Sequence, residues 1–138
     1  MKKILFQKDP INVSEAISLC GTDIDGSILT FIGQARNKSR EMKVTHLDYE
    51  IYPSMAEKEM KKIVDHACDK WDLTDCIVIH RFGPVKIAEA SILIAVSSPH
   101  RVDSYEASRY IIDTIKKTVP IWKKEFYEDG TQWITDRS

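Results

Sequence analysis

The chain has 138 residues, of which 43% are hydrophobic and 30% are charged, and its formal net charge is -1. These values are typical of an ordinary globular protein, and they predict one domain over residues 1–138. The near-neutral charge argues against a general nucleic-acid-binding protein. The sequence has no apolar run of about 18 residues, and we expect neither a membrane span nor a signal peptide, hence a cytoplasmic protein.

The cysteines and histidines follow no pattern of a metal site or a disulfide framework. Cys20, Cys68 and Cys76 are odd in number and lack a Cys-x-x-Cys spacing. The four histidines likewise match no metal-ligand spacing. We therefore predict no disulfide, no bound metal and no cofactor, and we interpret the three cysteines as small buried hydrophobic residues.

In the first half of the chain, short apolar segments predict strands at residues 4–7, 26–33 and 44–52. Residues 13–20 predict a short helix, with Asn12 as its N-cap and Gly21 as its end. The segment 34–42 (QARNKSREM) is polar and basic, which is typical of a loop.

A long helix is predicted from Pro53, which suits the first turn. Its apolar stripe covers about four turns and consists of Ala56, Met60, Ile63, Val64, Ala67, Cys68 and Trp71. Strands are then predicted at residues 76–81, 85–87 and 90–96, with a turn at 82–84.

A second long helix follows the break at residues 97–99 and ends before Pro120. Its predicted packed face consists of Tyr105, Ser108, Ile112, Ile115 and Val119. An extended segment starts after Pro120, and residues 126–133 predict a terminal hairpin. Two main helices against a mostly antiparallel sheet predict an α+β domain rather than a parallel Rossmann sheet.

Cations cluster where the chain enters and leaves this second helix. His100 and Arg101 stand at its start, where backbone N–H groups favour a phosphate or carboxylate, although a simple helix-start charge is equally compatible. Lys116 and Lys123 can share one cleft only if the chain folds back between them. Neighbouring cations would then lower a lysine pKa and favour a base or nucleophile. The alternative is a cationic helix end that complements the helix dipole.

Five segments in register carry a resemblance to a known family: TFIGQARN (30–37), LDYEIYPSMAEKEM (47–60), IHRFGPV (79–85), SSPHR (97–101) and IKKTVPIWKKE (115–125). From about residue 26 to residue 133 the chain resembles the large, catalytic subunit of molybdopterin synthase. The resemblance implies an α/β hammerhead-type fold and a homodimer. It also implies a small ubiquitin-like subunit docked at each end, giving a heterotetramer.

The resemblance further implies the reaction and its residues. Sulfur passes from a thiocarboxylate on the small subunit's C-terminal Gly-Gly to cyclic pyranopterin monophosphate, forming the dithiolene of molybdopterin. Lys116 and Lys123 match the catalytic positions. The substrate-binding positions match Gln34, Ala35, Arg36, His100, Arg101, Lys116, Lys123, Lys124 and Glu125. A C-terminal arginine that the family supplies to the neighbouring subunit's pocket matches Arg137.

The residues alone leave two other classes open. A non-catalytic module that binds an anionic nucleotide or pterin would use the same cations without a reactive lysine. A partner-binding scaffold would need only exposed apolar surface and no pocket. Retained pterin binding without sulfur transfer would favour the first class, and normal partner binding without pterin binding would favour the second.

Overall fold

The structure is a computed structural model that describes residues 1–135, which form three helices and nine strands. The helices are α1 (Val13–Ser18), α2 (Pro53–Lys70) and α3 (Arg101–Thr118). The strands are β1 (Lys2–Gln7), β2 (Ser27–Gln34), β3 (Lys38–Ser39), β4 (Met42–Ile51), β5 (Asp75–Arg81), β6 (Gly83–Lys86), β7 (Ala90–Ser98), β8 (Ile121–Tyr127) and β9 (Gln132–Thr135). Among these residues, no helix is long and apolar enough to cross a membrane.

The first sheet has four strands in the order β1-β5-β7-β2. Only β1 and β5 are parallel, and the other neighbours are antiparallel. Strands β5 and β7 are buried on both faces, which explains their continuous apolar sequence. Helices α2 and α3 cover one face over the main core, while α1 covers the other face over a smaller cluster that includes Ile77 and Leu93.

The second sheet is built around β4, which pairs with β3, β6 and β8, and β9 adds to the outer edge of β8. The register of β4 and β8 sets Tyr49 opposite Lys123 and Leu47 opposite Glu125. Opposed residues of an antiparallel pair share a face of the sheet. These four side chains therefore face the same side, toward the end of α3.

The predicted α+β class, with two main helices and a mostly antiparallel sheet, is confirmed. The Asn12 cap is also present, since its side chain accepts a hydrogen bond from the Glu15 backbone N–H. Pro53 occupies the first turn of α2 as expected, and α3 ends just before Pro120.

Four details of the predicted elements are wrong. Residues 34–42 are not all loop, because β3 pairs with the start of β4. Gly83 and Pro84 begin β6 instead of forming a turn, and the proline is tolerated because β6 pairs on one side only, with β4. Tyr105 is 64% exposed, since the packed face of α3 runs through positions such as Ser104 and Ala107. Cys68 is only half-buried.

Candidate functional site

A cavity of about 240 Å³ opens between the C-terminal turn of α3, the shared face of β4 and β8, and the end of β2. Its charged lining residues are Arg36, Lys38, Lys116, Lys123 and Glu125. Lys116 and Lys123 converge because α3 ends before Pro120 and the chain then reverses into β8, which runs antiparallel to β4. Four cations around one carboxylate make this cavity, which we call the cationic pocket, suited to an anionic ligand.

The pocket lowers the pKa of Lys116. Partial burial is the main cause that lowers the pKa of its ammonium group, and the charges of Lys123 and Arg36 lower that pKa further. The residue as a whole stays exposed at the pocket mouth, so solvent still reaches it. A lysine with a lowered pKa supplies more neutral amine at a given pH, which is the form that accepts a proton or attacks an electrophile.

His80 forms part of the pocket floor and is 2% exposed. Its Nδ1 lies 2.7 Å from the backbone oxygen of Arg81, and a carbonyl can only accept, so Nδ1 carries the proton. Burial, with a smaller contribution from the charge of Lys116, lowers the pKa of His80 to about 4. The ring is therefore neutral near pH 7, with an unprotonated Nε2 as a hydrogen-bond acceptor.

Gln34 and Arg36 both line the pocket, whereas Ala35 between them does not. The Ala35 side chain is buried in the main core. Its backbone N–H donates to Glu89 O at 3.1 Å, and its carbonyl accepts from the Ala88 N–H at 2.9 Å. These contacts fix the backbone from which Arg36 projects, and the expected part of Ala35 in binding substrate stays a prediction.

His100 and Arg101 lie far from the pocket within one chain. They begin α3, whereas Lys116 lies in its last turn, and fifteen residues of helix span roughly 22 Å. The register of β2 and β7 agrees, because Ser98 lies at the opposite end of β2 from Gln34. Within one chain, His100 and Arg101 therefore do not converge with Arg36, and their expected part in binding the substrate stays a prediction.

Of the other predicted residues, Lys124 lies away from the cationic pocket. Lys124 points to the other face of β8, where it lines a second cavity of about 710 Å³ together with Trp122 and Ile134. Strand alternation is the reason, since Lys123 and Glu125 on either side of it face the cationic pocket. Arg137 lies outside the described residues.

Sequence reasoning missed several residues that line the pocket, including Lys38, Tyr49, His80 and Ser91. His80 did leave a signal, because it is a polar residue within a strand that is otherwise apolar at its centre. Tyr49 is buried on β4, and its contact with the pocket depends on how the two sheets meet. Residues 1–135 contain no group of three or more His, Cys, Asp or Glu side chains able to hold a metal ion.

Fold and pocket together define an α+β protein with a cationic pocket where its two sheets meet. The family model described as MoaE protein matches residues 6–118, and the chain belongs to that family. It is 42% identical over 134 residues to the molybdopterin synthase catalytic subunit of Staphylococcus carnosus, covering 97% of this chain and 89% of the relative. It is 48% identical over 131 residues to the subunit of the same name from Taeniopygia guttata, covering 94% and 84%.

A solved structure agrees with these sequence comparisons. The crystal structure of molybdopterin synthase from Staphylococcus aureus superposes with a TM-score of 0.88 at 38% sequence identity. The match covers 94% of this chain and 94% of that chain. The architecture described above, including the two sheets and the long helices, is therefore the architecture of the family.

Proposed function

We propose that this chain is the catalytic subunit of a molybdopterin synthase, an enzyme of molybdenum cofactor biosynthesis. It transfers sulfur from the thiocarboxylated C-terminus of a small ubiquitin-like subunit to cyclic pyranopterin monophosphate. The observation that carries the proposal is the convergence of Arg36, Lys116 and Lys123 in one pocket, combined with the lowered pKa of Lys116. The catalytic-subunit names of the relatives support the same assignment.

The chemistry of the reaction suits these groups. A thiocarboxylate sulfur attacks an oxygen-bearing carbon of the pterin precursor, and an oxygen leaves that carbon. Water then hydrolyses the resulting thioester, which leaves the sulfur on the pterin and returns the tail as a carboxylate. Proton transfer and stabilisation of developing negative charge are both needed. Lys116, with its lowered pKa, is the group for the proton transfer, while Lys123 and Arg36 stabilise negative charge.

The sulfur comes from outside the chain in this proposal. Cys20 and Cys76 are buried, Cys68 is half-buried, and all three stand apart from the lining of the cationic pocket. A Gly-Gly tail is slim enough to enter a narrow cleft, and its terminal carboxylate or thiocarboxylate is attracted to Lys116 and Lys123. The partner is therefore a small protein whose C-terminus ends in such a tail.

A second copy of the chain is expected to complete the site. Strand β2 lies at the edge of its sheet, and its Ile28 is 52% exposed. Val102, which follows Arg101 at the start of α3, is 59% exposed. An edge strand and exposed apolar side chains favour association. In a homodimer built on this surface, His100 and Arg101 of one copy would approach the pocket of the other and bind the precursor's phosphate.

The phosphate role of Arg101 has its own test. Arg101→Ala is expected to weaken precursor binding by about 1.5–3 kcal/mol, the scale of a hydrogen bond to a charged group. Titration calorimetry with the precursor measures this, and light scattering on the same sample reports whether the dimer persists. Unchanged precursor affinity in a folded dimer would remove Arg101 from the site.

The proposed function as a whole is tested by reconstitution. The purified chain is incubated with a thiocarboxylated small subunit and the pterin precursor, and the product is identified by mass spectrometry after alkylation of its two thiols. The expected result is the dithiolene product and desulfurised small subunit. Precursor binding without product would support the non-catalytic pterin module instead. Small-subunit binding without precursor binding would support the scaffold.

A further inference from the structure

Glu125 is a buried carboxylate whose two oxygens have different neighbours. The residue is 5% exposed. Its Oε1 accepts hydrogen bonds from Ser39 Oγ at 3.1 Å and from the Tyr127 hydroxyl at 3.0 Å. Its Oε2 lies 3.9 Å from Lys123 Nζ. Because two donors hold one oxygen, the carboxylate is fixed in orientation and presents the other oxygen to the lysine.

The serine donor is delivered by a tight turn between β3 and β4. Arg40 and Glu41 in this turn have φ values of 53° and 62°, a left-handed conformation that is unfavourable for residues other than glycine. Such a backbone persists where the surroundings fix it. One such contact is visible: the Arg40 guanidinium lies 3.7 Å over the ring of Trp133 on β9. The docked turn thereby keeps Ser39 within hydrogen-bond distance of Glu125.

The tyrosine donor lies on β8 itself, two residues beyond Glu125 on the same face. Burial is the main cause that raises the pKa of Tyr127, and the neighbouring Glu125 carboxylate raises it further. The phenol therefore keeps its proton and remains a donor throughout the range where enzymes work. Ser39 and Tyr127 together form what we call the hydroxyl clamp on Glu125.

We propose that Ser39 and Tyr127 are positioning residues for the reaction, which orient Glu125 so that it holds the Lys123 ammonium group in the cationic pocket. The clamp is needed because Arg36, Lys38 and Lys116 share that pocket and repel Lys123. With Glu125 free to rotate, Lys123 would leave the place where negative charge develops. The proposal rests on the proposed function, since it assigns the clamp to that reaction.

Turnover of reconstituted enzyme provides the first test. In a Ser39→Ala/Tyr127→Phe double variant, kcat is expected to fall at least about tenfold, equivalent to one hydrogen bond to a charged group. KM for the precursor stays within about twofold, because the positioned charge acts in the transition state. Ser18→Ala/Tyr52→Phe is the matched control, since both hydroxyls belong to exposed residues away from the pocket, and wild-type kcat is expected.

A double-mutant cycle separates positioning from simple structural support. In a Glu125→Gln background the two clamp substitutions are expected to change kcat by less than about twofold, because they act only through the Glu125 carboxylate. An undiminished loss in that background would mean that the hydroxyls support the fold and would overturn the proposal. Wild-type kcat in the Ser39→Ala/Tyr127→Phe variant would overturn it as well.

Lysine side-chain NMR on the free chain decides the question without turnover. The order parameter of the Lys123 ε-methylene is expected to drop in the clamp double variant, while that of exposed Lys117 stays the same. An unchanged Lys123 order parameter overturns the clamp. If wild-type enzyme makes no product while the Lys123 order parameter drops as expected, the proposed function fails and the positioning of Lys123 by the clamp stands.

Discussion

Replacing His80 with glutamine is expected to remove much of the acid sensitivity of the fold. His80 is buried and neutral, with a pKa lowered to about 4, against 6.5 for an ordinary histidine. The unfolded chain therefore takes up a proton on this ring at higher pH than the folded chain does. Stability from His80 is fully present above about pH 6.5 and is lost as pH falls toward about 4.

The magnitude follows from the two pKa values. Between about pH 7 and about pH 5, linkage at this one ring lowers the free energy of unfolding by about 2 kcal/mol. His80→Gln abolishes the titration but keeps an N–H donor for the Arg81 carbonyl. Over the same pH interval, the free energy of unfolding of His80→Gln is thus expected to fall by about 2 kcal/mol less than that of the wild type.

Urea unfolding followed by tryptophan fluorescence measures the free energy of unfolding at both pH values. Other titrating groups affect wild type and variant equally, so the difference between their pH responses isolates His80. His66→Gln, at an exposed position on α2, is the matched control for a change of histidine to glutamine. Equal losses in the wild type and His80→Gln would refute the reasoning, because the ring would then titrate alike in both states.

Three other outcomes are expected. Lys116→Ala should lose most turnover while its fold and its binding of the small subunit stay intact. Lys116→Arg should not restore turnover, because arginine stays protonated. Near-normal kcat in Lys116→Arg would leave Lys116 only an electrostatic role. Lys123→Ala should raise the pKa of Lys116, because the substitution removes a neighbouring positive charge. The acidic limb of the pH profile of kcat should therefore move to higher pH, and a shift to lower pH would contradict this prediction. Arg81→Met should lower the free energy of unfolding by about 1–3 kcal/mol in urea titrations, because buried Arg81 donates hydrogen bonds to Glu89 at 3.1 Å and to the Lys8 and Pro84 carbonyls at 3.0 Å. A loss below about 0.5 kcal/mol would rule out that contribution to stability.

The fold could be predicted from the sequence because its elements are locally encoded. Pro53 marks the start of α2 and Pro120 follows the end of α3, and the apolar residues within each of these helices recur at helical spacing. The errors arose where pairing is set by tertiary contacts. The turn at Arg40 and Glu41 carries no glycine, so nothing local indicated a hairpin, and the docking of Arg40 on Trp133 is visible only in three dimensions.

The candidate site could be predicted only in part. Lys116 and Lys123 were expected to meet if the chain reversed at Pro120, and it does. Within one chain, the length of α3 separates His100 and Arg101 from the pocket that Arg36 lines, and only a second copy of the chain can bring these residues together. Residues that reach the pocket from other strands, such as His80, depend on sheet packing and left only weak signals.

Because β8 has two different faces, the register of this strand decides which of its side chains face the cationic pocket. Lys123 and Lys124 are neighbours, yet one faces the cationic pocket and the other faces the opposite cavity. Deleting one residue just after Pro120 would present Lys124 where Lys123 now stands and Phe126 in place of Glu125. The pocket would keep its lysine but lose its only carboxylate among the described lining residues. The same shift would place Glu128 at the buried position of Tyr127, so the deletion would remove core contacts of the strand together with the carboxylate.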